Sequence, residues 1–116
     1  MLVLVCGDRN WDDRKTIYLR LEKLPVGSVV MHGGCQGADE IAGIMAGRLG
    51  FEVRVFEADW DEFGKAAGPI RNRQMLDQKP DLVIAFHLDL KKSRGTRNCL
   101  EVAEQRGIET ELIPPF

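Results

Sequence analysis

Apolar residues gather along this chain in short unbroken runs and in helically spaced sets, and the two kinds alternate. Leu2 to Cys6 is a valine-rich run closed by Gly7-Asp8-Arg9-Asn10, the pattern of a strand buried on both faces and followed by a polar loop. From Asp13 to Leu24 the apolar positions Ile17, Leu21 and Leu24 fall at helical spacing, and Pro25 and Gly27 end the pattern. Ser28 to Met31 reads as a second strand. Ile41, Ala42, Met45, Ala46 and Leu49 then line one face of a helix that begins near Ala38 and is capped by Gly50. Gly43 and Gly47 weaken that helix, so they predict close packing against a sheet. Val53, Val55 and Phe56 form a third strand, and Glu57 to Gly68 reads as a long functional loop without period. Gly68-Pro69 opens a short helix to about Gln78 with a weak apolar face. Leu82 to Phe86 is a fourth buried strand, and His87 to Gly95 a second long polar loop. A helix capped by Thr96 carries Leu100, Val102 and Ala103 until Gly107, and Glu109 to Ile113 is a last, more exposed strand.

Five strands alternating with helices predict an α/β fold: a single Rossmann-like three-layer domain over residues 1–116. Its five-stranded sheet should be mostly parallel, with helices on both faces and right-handed crossovers. The composition, 44% hydrophobic and 29% charged, is that of a globular chain and too apolar for disorder. A formal net charge of −2 argues against a protein that coats nucleic acid, so a nucleic-acid partner is not the expectation. Cys6, Cys35 and Cys99 are odd in number and far apart, which fits a reducing, cytoplasmic setting and neither a disulfide framework nor a zinc ribbon. The opening apolar run is too short for a signal peptide or a membrane span, and no membrane partner is expected.

The loops differ by end. Those leaving the carboxyl ends of the strands are long and carry the unusual residues, whereas those returning to the next strand are short. In open α/β sheets the ligand crevice lies at the carboxyl ends, near the point where strand order reverses. The stretch His32-Gly33-Gly34-Cys35-Gln36-Gly37-Ala38-Asp39 holds three glycines before a helix start, which leaves backbone N–H groups free to face an anion, most often a phosphate. Arg9, Lys65, Arg71, Arg73, Lys91, Lys92, Arg94 and Arg97 lie in or beside these loops. Arg9, Arg71 and Arg97 are the strongest candidates for an anionic ligand and Lys65 a mobile point charge, while Lys91 and Lys92 read as a solvated loop.

Several familiar sites lack their parts. There is neither G-x-x-x-x-G-K-[ST] nor a G-x-G-x-x-G after the first strand, so a P-loop hydrolase and an ordinary NAD-dependent dehydrogenase are not indicated. His32 and Cys35 are only two metal ligands, so a buried histidine and an unremarkable thiol are expected, with no tightly bound metal; magnesium could accompany a nucleotide. Trp11 and Trp60 could stack on a base or cover the core. Asp8, Asp39 and Asp59 could meet ribose hydroxyls or magnesium, or simply serve turns and helix caps.

Four blocks in order carry a family resemblance: Gly7-Asp8-Arg9-Asn10-Trp11-Asp12, the His32 to Asp39 stretch, Ala58-Asp59-Trp60 with Gly64-Lys65-Ala66-Ala67-Gly68-Pro69-Ile70-Arg71-Asn72, and Arg94-Gly95-Thr96. Together they resemble the YspA-like branch of the SLOG superfamily. The resemblance implies a Rossmann-like fold that binds a nucleotide or nucleotide-derived ligand, and a homo-oligomer. Similar proteins include the lonely-guy phosphoribohydrolases, molybdenum-cofactor-carrier-like proteins and sensor domains of antiviral systems, so function in the superfamily ranges from enzyme to sensor. The expected ligand-binding set is Gly7, Asp8, Arg9, Trp11, Gly33, Gly34, Cys35, Gln36, Gly37, Asp39, Lys65, Gly68, Arg71, Asn72, Gly95, Thr96 and Arg97. Phosphate would rest on the Gly33 to Gly37 loop and the Gly95-Thr96 helix start.

Lonely-guy enzymes carry P-G-G-x-G-T-x-x-E, whose glutamate serves cleavage of an N-glycosidic bond. Here Cys99 stands three residues beyond Thr96, and Glu101 is rotated roughly 200° further around the helix. The leading expectation is therefore a binding or sensing module. The alternative is a hydrolase acting on nucleoside monophosphates through Asp8, Asp39 or Asp59.

Overall fold

The computed structural model describes residues 1–89 and 91–115. Its elements are β1 (Leu2–Gly7), α1 (Arg14–Leu21), β2 (Val29–His32), α2 (Ala38–Arg48), β3 (Glu52–Val55), α3 (Trp60–Phe63), a 3-10 turn (Gly64–Ala66), α4 (Ala67–Asp77), β4 (Leu82–Phe86), α5 (Arg94–Gln105) and β5 (Glu109–Ile113). The five strands form one all-parallel sheet in the order β3-β2-β1-β4-β5. The chain builds outward from β1 to β3, crosses back to β4 beside β1, and ends at β5. Strand order therefore reverses between β1 and β4.

Alternation along the central strands splits the core into two layers. Val3, Val5, Val30, Ile84 and Phe86 face α1 and α2 through Ile17, Leu21, Ile41, Ala42 and Met45. Leu4, Cys6, Met31, Val83 and Ala85 face α4 and α5 through Met75, Leu76, Cys99, Leu100 and Ala103. All five residues of β4 are buried, whereas edge strand β3 is mostly exposed. That difference explains why β4 reads as a continuous apolar run and β3 does not.

Several boundaries differ from the sequence reading, each for a local reason. Ser28 closes the turn before β2, its hydroxyl donating to the Pro25 carbonyl at 2.6 Å, and His32 extends the strand by accepting from Phe56 N–H. The loop from Glu57 to Gly68 is largely helical. Asp59 caps α3 by accepting from Glu62 N–H at 3.1 Å, and two acidic residues follow in the first turn, where the helix dipole favours them. Thr96 is not a helix cap: α5 starts at Arg94 with Ser93 in the capping position, and Thr96 is buried inside the first turn. Of the two helix glycines only Gly43 marks close packing, since a Cβ there would stand 2.6 Å from His32 Nε2, while Gly47 faces open space.

Candidate functional site

A cleft of about 450 Å³ opens where the loops after β1, β2 and β3 meet. It is lined by Arg9, Gly33, Gly34, Cys35, Gln36, Glu57, Ala58, Trp60 and Arg71. Its volume falls within the range of small-molecule sites.

The glycine loop that forms one wall is shaped from inside. Gly33 N–H donates to Asp39 Oδ2 at 2.8 Å, and Gly34 N–H donates to His32 Nδ1 at 3.0 Å. Two loop donors of the stretch expected to hold a phosphate thus find partners within the fold, and Asp39 fills the role of the anion for Gly33. The N–H groups of Gln36 and Gly37 have no acceptor among the described residues. Gly37 is needed for its backbone, φ +77°, and because a Cβ would collide with the main chain of Asp8 and Arg9.

Charge in this wall is balanced. Burial pushes the Asp39 carboxyl up to about 6, against the opposing pull of Gly33 N–H, the Arg71 guanidinium and Cys35 N–H. Burial, and then the same guanidinium, lowers the pKa of His32 and favours the neutral ring that accepts from Gly34. Arg71 is itself buried. It donates to the carbonyl of Gly33, and its Nε donates to Asn72 Oδ1 at 3.0 Å. Asn72 Nδ2 donates onward to the Gly95 carbonyl at 3.2 Å and to Asn98 Oδ1 at 3.3 Å. These bonds tie the glycine loop, α4 and α5 into one buried relay. They also account for the weak apolar face of α4, whose inward surface carries Arg71 and Asn72 beside Met75 and Leu76.

The other expected site residues lie outside the cleft wall. Gly7 is packed so closely that a Cβ would meet the Phe86 carbonyl and Ala38. Asp8 is buried and accepts from Asn10 N–H at 2.9 Å and from the Ser93 hydroxyl at 3.1 Å. Trp11 is buried in the core, 5.5 Å from the Phe86 ring, with its indole N–H donating to the Asp13 carbonyl at 2.8 Å. Gly68 is buried in α4 beneath Trp60. Lys65, Gly95 and Arg97 are exposed, and Thr96 is buried. Cys99 points into the core against Cys6, whose thiol pKa is raised by their hydrogen bond and by burial.

Glu57, Ala58 and Trp60 line the cleft although the expected ligand-binding set omits them. All three follow the third strand, and Glu57 directly follows its apolar run, as Gly7 follows the first. Trp60 is 55% exposed, and Glu57 has no hydrogen-bond partner among the described residues. No group of three or more His, Cys, Asp or Glu side chains suited to a metal occurs among the described residues.

A family model described as YspA, cpYpsA-related SLOG matches residues 1–63. The Gene 61 protein of Mycobacterium phage D29 is 41% identical over 115 residues, covering 91% of this chain and 90% of that protein. The chain belongs to the YspA, cpYpsA-related SLOG family. Among solved structures, the X-ray structure of DNA processing protein A (DprA) from Streptococcus pneumoniae shares the fold with a TM-score of 0.72 at 20% identity. That likeness covers 98% of this chain and 50% of the pneumococcal one, so this chain spans half of that protein's length. Among the described residues no helix is long and apolar enough to cross a membrane.

Proposed function

We propose that the cleft binds a nucleotide or nucleotide-derived ligand as a recognition or sensing module. The observation that carries this reading is the joining in one cleft of an exposed indole, Trp60, with an arginine, Arg9, and a carboxylate, Glu57, neither of which has an ion pair among the described residues. These groups suit the three parts of a nucleotide. Arg9 and the free N–H groups of Gln36 and Gly37 would hold a phosphate, Trp60 would stack on the base, and Glu57 would accept from ribose hydroxyls. Glu57 also stands beside Gly34: a Cβ there would lie 3.3 Å from Glu57 Cγ. A phosphate seated over Gly34 would be repelled, which favours the Arg9 side of the loop.

The hydrolytic alternative fares differently at each aspartate. Asp8 and Asp39 are buried in hydrogen bonds, Asp59 caps α3, and none lines the cleft. Of the carboxylates, Glu57 lines the cleft, so the hydrolytic reading favours Glu57 over the three aspartates.

The test is thermal unfolding with AMP, ADP, ADP-ribose and a short single-stranded DNA at millimolar concentration. A ligand at a hundredfold excess over its Kd stabilises by about 2.7 kcal/mol, roughly 10 °C for a chain of this size. A shift of that kind, lost in Arg9→Ala and Trp60→Ala, supports the reading; no shift across the panel rejects it. The DNA arm belongs in the panel because the pneumococcal protein is named for DNA processing, and a steep salt dependence would assign the site to nucleic acid. Overnight chromatography of nucleoside monophosphates completes the test. Base release that Glu57→Gln abolishes would replace binding with hydrolysis.

A further inference from the structure

We infer that the outer edge of β3 is a self-association surface, on which a second copy of this chain pairs antiparallel to extend the sheet across a two-fold axis at Val53. Among the described residues β3 ends the sheet and pairs only with β2. Phe56 N–H points inward to the His32 carbonyl at 2.9 Å. By strand alternation the main-chain groups of Glu52 and Arg54 also face β2, while those of Val53 and Val55 face outward, away from every strand among the described residues. Such an edge is a template for another strand.

The side chains choose the register. With Val53 opposite its own copy, Glu52 faces Arg54 of the second chain and Arg54 faces Glu52, while Val55 faces Phe51 on the other side of the sheet. Each cross-strand pair is thus opposite in charge or apolar on both sides. A dyad at Glu52 would set carboxylate against carboxylate, and one at Arg54 would set guanidinium against guanidinium. A dyad at Val55 would set Arg54 against Phe56 and Val53 against Glu57, whereas at the Val53 dyad the two outward-facing copies of Val53 exchange both main-chain hydrogen bonds between complementary neighbours. Within one chain Arg54 already reaches along the strand to Glu52, and both are largely exposed. The same edge carries an apolar strip, with Val55 50% and Ile44 of α2 47% exposed along an open groove. The opposite edge, β5, is built the other way. Antiparallel self-pairing centred on Glu109, Thr110 or Glu111 sets glutamate against glutamate, a means of preventing edge pairing.

Sedimentation velocity of the full chain from low to high micromolar concentration tests this. Wild type is expected to shift to a dimer, and either Arg54→Glu or Glu52→Arg should weaken dimerisation roughly tenfold or more by setting like charges opposite. The double variant Glu52→Arg/Arg54→Glu restores complementarity and should restore the dimer, a recovery that no general loss of folding could imitate. Wild type that stays monomeric throughout, single variants that dimerise as well as wild type, or a double variant that does not recover would each overturn the inference.

Discussion

The rim above β1 and β4 and the rim above β2 and β3 are made from the same ingredients: a buried strand, a polar glycine-bearing loop and a helix start. Above β1 and β4, where strand order reverses and open α/β sheets usually bind ligands, side chains close on one another. The Asp8 carboxylate accepts from Ser93, Trp11 packs on Phe86, and Asn72 holds the Gly95 carbonyl. Above β2 and β3 the polar groups beneath the surface are equally well paired, but Glu57 and Trp60, joined by Arg9 from the loop after β1, are left facing a cleft. Topology marks an end of the sheet; which half of that end opens is decided by which side chains find partners within the fold.

The sharpest way to break this contrast is Arg71→Met, because Arg71 belongs to the open wall and to the relay reaching the closed half. Losing the guanidinium strands the Gly33 carbonyl and the Asn72 side-chain oxygen and removes the positive charge near Asp39. A loss of about 4 kcal/mol in urea unfolding is expected, together with loss of ligand binding. Unchanged stability would mean that the relay does not hold the two halves together.

Asp39 offers a test by pH. Its folded pKa of about 6 lies above the ordinary 3.8, so between these values the folded chain holds a proton that the unfolded chain has released. Its contribution to stability therefore falls as pH rises from about 4 to 6, by about 3 kcal/mol in all. Unfolding of wild type and Asp39→Asn across that range isolates the effect, since the variant should lack this slope. Equal slopes would show that Gly33 N–H and the Arg71 guanidinium fully offset burial and leave the Asp39 carboxyl at its ordinary pKa.

Arg9→Ala should leave stability within about 0.5 kcal/mol and weaken nucleotide binding roughly tenfold or more, measured by calorimetry. The smallest effect belongs to the closed half: Ser93→Ala should cost about 1 kcal/mol or less with affinity unchanged. Reversal of these two outcomes would move the ligand to the point where strand order reverses.

The strands and the carboxyl-end asymmetry were legible because apolar runs and glycine turns are local signals. The direction of individual side chains was not. Trp11 and Trp60 look alike in sequence, each beside acidic residues in a polar loop. They separate only when Phe86, distant in sequence, comes beneath Trp11. Likewise Arg71 reads as a free fork for phosphate until β2 brings the Gly33 carbonyl and Asp39 to it. No short motif marks a lone carboxylate after a strand, so the significance of Glu57 depends on the neighbours the sheet supplies.

The contact between Gly33 and Arg71 also constrains how this loop can change. The guanidinium occupies the space into which any side chain at position 33 would project, so the two positions share one volume. Gly33→Ala alone forces the arginine out of its bonds, and a shorter residue at 71 alone leaves a hole lined with unpaired polar groups. Sequence drift here must pass through two simultaneous exchanges, a larger residue at 33 with a smaller one at 71. The loop would then need another partner for its buried carboxylate.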